Sequence, residues 1–329
     1  MASLLHAPSM FCSCSMKHFH YSYNNTSTKY TWGAFRAKSL SSELVVHSIS
    51  MEYKSSYKQG GRRKYDCLLF DLDDTLYPVT SGLATACSDN IGEFMVYKLG
   101  IDRNVAFELG HLLYKNYGTA VAGLKAIGYE FDNEEFFSFV HGRLPYAKLK
   151  PDPVLRSLLL SLPIRKVIFT NADKVHAVKV LSCLGLKDCF EEIICFETLN
   201  LINKCTVSDG EDDIQLTTSR VTTGSSKIFD VISHFSQPNA SASLLPKTPI
   251  VCKPDQYAIE KALKIGNIDP QRTLFFEDSV RNIQSAKIVG LDTALVGTSE
   301  RIEGADYVLQ SIHDIRDALP ELWAAVKEL

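Results

Sequence analysis

The segment Asp71-Leu72-Asp73-Asp74-Thr75, following directly on the apolar run Cys67–Phe70, constrains this chain more than any other feature. A short apolar run that stops abruptly at turn-forming acids predicts a buried strand whose last residues stand at the edge of a sheet. Two other segments share this form. The apolar run at 167–169 ends in Thr170-Asn171, and the run at 273–276 ends in Glu277-Asp278-Ser279. Helical patterns lie between these runs, so the strands are expected to pair in parallel, as an open α/β fold. The residues that follow them then gather at the carboxyl edge, where open α/β sheets hold their ligands.

Charge dictates what such a gathering can do. Asp71, Asp73, Glu277 and Asp278 bring four formal negative charges together, and a phosphate monoester adds about two more. The cluster stays ionised only beside cations. Lys253, in the Lys253-Pro254 pair, supplies one. A hard divalent metal supplies the rest, and Mg²⁺ uses a few carboxylates while keeping waters and substrate oxygens as its other ligands. The i, i+2 spacing of Asp71 and Asp73 sets both on one side of an extended segment. One carboxylate, held ionised on the metal, can attack phosphorus to give an aspartyl-phosphate, while the other trades a proton with the leaving group and then with water. On this reading Asp71 is the nucleophile and Asp73 the acid/base. Thr170 and Asn171 donate to phosphoryl oxygens, and Lys253 offsets charge on the transferring group. Asp74 serves the turn. Taken singly, each segment has a plain structural explanation as a turn, a helix cap or a solvated loop. The series in this order is what points to a site.

The series Asp71-x-Asp73-x-Thr75, Thr170, Lys253 and Glu277-Asp278 resembles the haloacid dehalogenase-like hydrolase superfamily, over residues from about 65 to 320. That resemblance implies a Rossmann-like core and the roles just given. It also implies Mg²⁺ ligands at Asp71, the Asp73 carbonyl and Asp278, with Glu277 assisting. Dehalogenases of the superfamily lack the second aspartate of the first motif, so Asp73 argues for phosphoryl chemistry. In one departure, Arg281-Asn282 stand where some relatives carry a further acid. A closer likeness lies in Leu149-Lys150-Pro151-Asp152-Pro153-x-Leu155-Arg156, in Phe169-Thr170-Asn171-Ala172-x-Lys174-x-His176-Ala177, and in Tyr114-Lys115-x-Tyr117-Gly118. These are similar to the pyrimidine 5′-nucleotidase branch and its plant relatives. The implied substrate is a small phosphorylated metabolite, with pyrimidine nucleoside monophosphates leading.

Between the first two motifs the period changes. Ile91, Phe94, Met95 and Leu99, then Phe107, Leu109, Leu112 and Leu113, then Phe136, Phe137 and Val140 follow helical spacing. A helical cap is therefore expected at 79–161, inserted into a core made of 61–78 and 162–320. It would hinge near Tyr77-Pro78 and Lys150-Pro151 and close over the phosphate. Lys115, Tyr117 and Arg143, with Lys125 and His141 beside them, are the candidates for reading the leaving group, although each is equally a surface charge or a packing residue by its type alone.

A second insert, 203–247, is rich in Ser, Thr and acids and is expected to be disordered, with a short amphipathic helix across Ile228 to Phe235. It stretches the interval from Asn171 to Lys253 to 82 positions (253 − 171), which costs little in closure entropy. Residues 1–60 read as a leader outside the fold. Their first 50 positions hold Glu43 as the sole acid against Lys17, Lys29, Arg36 and Lys38, the composition of a plastid transit peptide, while Met51 offers an alternative start for a cytoplasmic product. Net charge of −3 gives no basic footprint for nucleic acid. No apolar stretch approaches the roughly 18 residues needed to span a membrane, so neither partner is expected. Nine cysteines without a Cys-x-x-Cys spacing fit free thiols in a reducing compartment. Oligomeric state is not set by any of these features. Three functional classes remain: a Mg²⁺-dependent phosphomonoesterase, a phosphomutase or other metabolite phosphatase, and a regulatory protein with a vestigial site.

Overall fold

A computed structural model describes residues 63–200, 228–237 and 241–323. Six strands form one sheet: β1 (Cys67–Phe70), β2 (Arg165–Phe169), β3 (Glu192–Ile194), β4 (Thr273–Glu277), β5 (Asp292–Val296) and β6 (Tyr307–Leu309). Their spatial order is β3-β2-β1-β4-β5-β6, and every pair is parallel. The chain thus builds outward from β1 through β2 to β3, then returns to lay β4 on the other flank of β1. A crevice opens where the order reverses, at the carboxyl ends of β1 and β4. The expected α/β fold and its three expected strands are present, while β3, β5 and β6 were not singled out.

Strand alternation explains why the runs are continuously apolar. Leu68 and Phe70 of β1 enter a core on one face with Ile168, Leu274 and Phe276, whereas Cys67 and Leu69 enter a second core on the other face with Val167, Phe169 and Phe275. Both faces are covered, as parallel sheets require. The register Phe70↔Phe276 stacks the two rings at 4.6 Å between centroids, fixing β1 against β4 just below the crevice.

Between β1 and β2 the chain forms α1 (Leu83–Tyr97), α2 (Arg103–Tyr117), α3 (Ala120–Ala126), α4 (Asn133–Val140) and α5 (Pro153–Ser161). Side-chain oxygens of Asp102, Thr119, Asp132 and Asp152 accept from free N–H groups at the starts of α2 to α5, the usual way a helix satisfies its first turn. Helices α1 to α4 share a core of their own, in which Phe94 meets Phe131, Phe136 and Phe139 edge to face. Helix α5 does not join it. Leu155 and Leu159 pack with Phe70 and Ile168 on the sheet, so the helical cluster ends near Leu144, short of the expected 161. Helical period reports that a segment is a helix, not which core it serves.

Helices α6 (Lys174–Leu184) and α7 (Phe196–Leu199) follow β2 and β3. The expected leader and residues 203–227 of the insert lie outside the described residues. Residues 238–240 lie outside them too, but within 228–237 and 241–247 the chain is ordered in part, with Phe229, Val231, Ile232, Phe235 and Leu245 packed on the helical cluster, so the expectation of disorder does not hold across all of 203–247. Residues 231–235 form α8 (Val231–Phe235), begun by Asp230, whose carboxylate accepts from Ser233 N–H. Val231 is buried against the helical cluster, and Phe229 N–H donates to Ile127 O. The helix expected across Ile228 to Phe235 is thus present over its last five residues. After α9 (Gln256–Ile265) the chain enters β4, then α10 (Val280–Val289) and β5, with α11 (Ile315–Ala318) following β6. Among the described residues, no helix is long and apolar enough to cross a membrane.

Candidate active site

Each motif residue stands where a strand gives out. Asp71 follows β1, and its N–H donates to Phe276 O, extending the β1–β4 ladder by one bond. The chain then turns through Asp74 at φ 57°, a left-handed value that Asp tolerates, which agrees with its assignment to the turn. Thr170 follows β2, and Glu277 closes β4 with Asp278 next. Asp71, Glu277 and Asp278 are all buried, with one carboxylate oxygen from each within 4.8 Å of the others.

Lys253 sits at the centre of this group and is 1% exposed. Its ammonium donates to Asp71 Oδ1 at 2.7 Å, Glu277 Oε2 at 2.7 Å and Phe169 O at 2.9 Å, which uses all three of its protons. Burial alone would favour the neutral amine. Asp71 and Glu277 outweigh it and hold the ammonium above its ordinary range. The rings of Phe169 and Phe275 flank the nitrogen at 4.9 and 5.3 Å.

Asn171 has a further role beside the one expected of it. Its amide meets the backbone of Lys253: Nδ2 donates one proton to Lys253 O at 3.0 Å and Oδ1 accepts from Lys253 N–H at 2.9 Å. So Asn171 clamps the Lys253-Pro254 segment, whose peptide bond is cis, and keeps a second Nδ2 proton. Gly118 braces the same segment from the helical side. It has φ of +84°, and a Cβ there would fall 2.3 Å from Lys253 O and 2.6 Å from Pro254 Cδ. Thr170 Oγ1 accepts from Ala172 N–H, which leaves its own proton for another partner.

The carboxylates divide into two electrostatic classes. Burial, then Glu277, pushes Asp71 up to about 8 despite Lys253. Burial, then Glu277 and Asp71, holds Asp278 well above its ordinary range. Three acids facing one ammonium are short of positive charge, and a donor set made only of carboxylate oxygens is the kind that a hard divalent cation fits. Glu277 is the least available of the three, because Oε1 accepts from Ser279 N–H and Oε2 from Lys253.

Asp73 belongs to the second class. It is also buried, which opposes ionisation, yet the charge and hydrogen bond of His176 and the hydroxyl of Tyr77 overcome that and hold its carboxyl below the usual range. Tyr77 OH donates to Oδ1 at 2.5 Å, and His176 Nε2 meets the same oxygen at 2.7 Å. Beyond it, His176 Nδ1 lies 2.8 Å from Tyr146 OH, and His141 Nδ1 lies 2.5 Å from Asp173 Oδ1. Apart from His141 and Tyr77, the latter read as part of a hinge, these residues carried no role in the sequence reading. The signal for His176 was present, as a histidine in the first turn of the helix that follows Thr170-Asn171.

Of the expected leaving-group readers, Arg143, Tyr117, Lys125 and His141 have side chains with partners of their own, while Lys115 is contacted through its backbone. Arg143 pairs with Glu93 at 2.6 Å and lies over Phe139, Tyr117 OH donates to Pro246 O, and Lys125 donates to Phe131 O. His141 is held by Asp173, and the Lys115 carbonyl accepts from Arg281. That arginine, the departure noted in the fourth motif, also donates to Tyr114 O and stacks on the Tyr114 ring, tying α10 to the end of α2.

A six-stranded parallel sheet with acids, an ammonium and a threonine at its switch point defines a Rossmann-like α/β protein in which three buried carboxylates stand close enough to hold a metal ion. A family model described as haloacid dehalogenase-like hydrolase matches residues 219–296, the stretch that holds Lys253 and Asp278. That match spans 78 of the 329 residues (296 − 219 + 1), so it marks a likeness of this stretch to those hydrolases. The chain is 33% identical over 132 residues to Phosphate metabolism protein 8 of Saccharomyces cerevisiae, a match that spans 38% of this chain and 41% of that protein. Solved structures of similar shape include L-2-haloacid dehalogenase from Xanthobacter autotrophicus, at 13% identity and TM-score 0.41, covering 78% of this chain and 98% of that one. A HAD phosphatase from Thermococcus onnurineus has 19% identity and TM-score 0.41, covering 77% and 97%.

Proposed function

We propose that this protein is a Mg²⁺-dependent phosphomonoesterase that works through an aspartyl-phosphate on Asp71. The observation that carries the reading is the pairing of two unlike carboxylates two residues apart: Asp71 in an acid-crowded pocket against Lys253, and Asp73 held by His176 and Tyr77.

Bound among Asp71, Asp278 and Glu277, the metal would neutralise the pocket and polarise the phosphoryl oxygens. Asp71, ionised, attacks phosphorus along the line opposite the ester oxygen. Lys253 stays on Asp71 and offsets the charge that spreads over the transferring group. Thr170, with a proton to spare, donates to a phosphoryl oxygen. Asp73 rests ionised, but an arriving phosphate dianion favours its protonation, and it then gives that proton to the departing alkoxide. Now a carboxylate again, it takes a proton from the water that cleaves the aspartyl-phosphate. Both half-reactions then use one pair of residues.

The helical cluster of α1 to α4 supports a second part of this reading, that of a cap closing over the crevice and excluding water. Pyrimidine nucleoside monophosphates are the proposed substrate class. Support comes from the likeness of three sequence segments to that nucleotidase branch, and from partial identity to a relative named for phosphate metabolism. Purified protein should release phosphate from p-nitrophenyl phosphate with Mg²⁺ and lose that activity in EDTA. Ranking kcat/KM over pyrimidine, purine, sugar and cofactor monophosphates would test the substrate, and a sugar-phosphate isomer as product in place of free phosphate would favour a mutase.

A further inference from the structure

The buried polar network that reaches Asp73 from behind is larger than a turn needs. Tyr77 and His176 both address Oδ1, at 2.5 and 2.7 Å. A carboxylate that receives two donors on one oxygen is fixed in rotation about its Cβ–Cγ bond, and neither donor occupies its other oxygen. His176 is itself held on its far nitrogen by Tyr146 OH at 2.8 Å, which sets the ring plane and keeps Nε2 directed at Asp73. The turn that carries it is pinned as well: Asp173 Oδ2 accepts from the N–H groups of Val175 and His176, while its Oδ1 meets His141. His141 comes from the end of α4 in the helical cluster, so the chain of contacts runs from that cluster to the reacting carboxylate.

We infer that His176 is a positioning residue that, with Tyr77, orients Asp73 so that Oδ2 can protonate the leaving oxygen. The inference rests on the phosphomonoesterase reading and deepens it. Phosphoryl transfer to Asp71 from an ester with a good leaving group does not need this alignment; transfer that expels a basic alkoxide does. When the P–O bond breaks, its electron pair goes to the ester oxygen, and the proton from Asp73 neutralises it. A p-nitrophenolate leaves well without that proton, whereas an alkoxide or an unsubstituted phenolate does not. Loss of alignment should therefore be read in the dependence of rate on leaving group rather than in the rate itself.

The test compares kcat/KM for p-nitrophenyl phosphate, phenyl phosphate and an alkyl monophosphate in the unaltered protein, His176→Ala, His176→Gln and Tyr77→Phe. kcat/KM is the right quantity because it reports steps through the first phosphoryl transfer. His176→Ala is expected to lose about 10²-fold or more with the alkyl ester and less than about 10-fold with p-nitrophenyl phosphate. His176→Gln keeps an N–H donor near the place of Nε2 and should restore most of the difference. Tyr77→Phe should move the same ratio in the same direction. A ratio taken within one variant does not depend on the folded fraction, so partial unfolding cannot mimic the result. Equal losses for good and poor leaving groups, or a Gln variant no better than Ala, would overturn the inference while leaving the phosphatase reading intact. No turnover of any ester by the unaltered protein would remove both.

Discussion

Lys253 Nζ stands 2.7 Å from Asp71 Oδ1, with neither side chain in contact with bulk water. A buried ion pair broken by removing one partner leaves the other charge without compensation. Lys253→Met should cost about 3–5 kcal/mol in urea denaturation with EDTA present, and turnover should fall by roughly 10²-fold or more. A stability change below about 1 kcal/mol would show that Asp71 and Glu277 do not depend on this ammonium.

Asn171 separates two readings of its own. Its amide closes two hydrogen bonds on the Lys253 backbone, so Asn171→Ala should lose about 1–3 kcal/mol of stability and lower kcat by letting Lys253 drift. A direct phosphate ligand would behave differently. Unchanged melting with a raised KM alone would leave Asn171 only the role first expected of it.

The acids of the pocket predict a pH dependence with a definite sign. Asp71 is pushed up to about 8 and Asp278 is raised as well, both above their unfolded values. Such groups add stability that is fully present below the unfolded pKa and is lost as pH rises through the folded one. Metal-free protein should therefore lose thermal stability from about pH 4 towards the Asp71 value. Mg²⁺ binds the ionised carboxylates, so its stabilising effect should widen over the same range. Melting curves in EDTA and in excess Mg²⁺ across that range check this, and a gap that narrows with rising pH would contradict it.

Gly118 links the helical cluster to the site. With φ of +84° and no room for a Cβ beside Lys253 O, Gly118→Ala should cost on the order of 1–3 kcal/mol and disturb Lys253 as well. Gly100 is the control, since it too has positive φ but nothing lies within 4 Å of its added Cβ. Alanine at 100 should cost strain alone and leave turnover per folded molecule unchanged. Equal activity losses at 118 and 100 would refute the bracing role.

How far the sequence could be read follows from what each signal is made of. Strands β1, β2 and β4 were legible because burial on both faces makes their runs wholly apolar and a chemical motif ends each. β3 and β6 are three residues long, too short for a period, and β5 carries Asp292 and Thr293 at its start. Asp71, Lys253, Glu277 and Asp278 were brought together as the spacing suggested. The second layer was not legible. Asn171 to Lys253, His176 to Asp73 and His141 to Asp173 are contacts across 82, 103 and 32 positions, and no local pattern announces which side chain a buried histidine or amide will meet. Helix α5 was assigned to the wrong core for a related reason, since period describes a segment without its neighbours, whereas the short helix of the insert was legible from its own apolar spacing.

The central claim is that Asp71 takes the phosphoryl group covalently. The most direct measurement is a single-turnover reaction with radiolabelled phosphomonoester, quenched in acid, digested and mapped by peptide mass. The account predicts label on the peptide that contains Asp71, absent in Asp71→Asn and more persistent in a variant whose Asp73 cannot activate water. Product release with no label on that peptide at any quench time, or full turnover by Asp71→Asn, would contradict it.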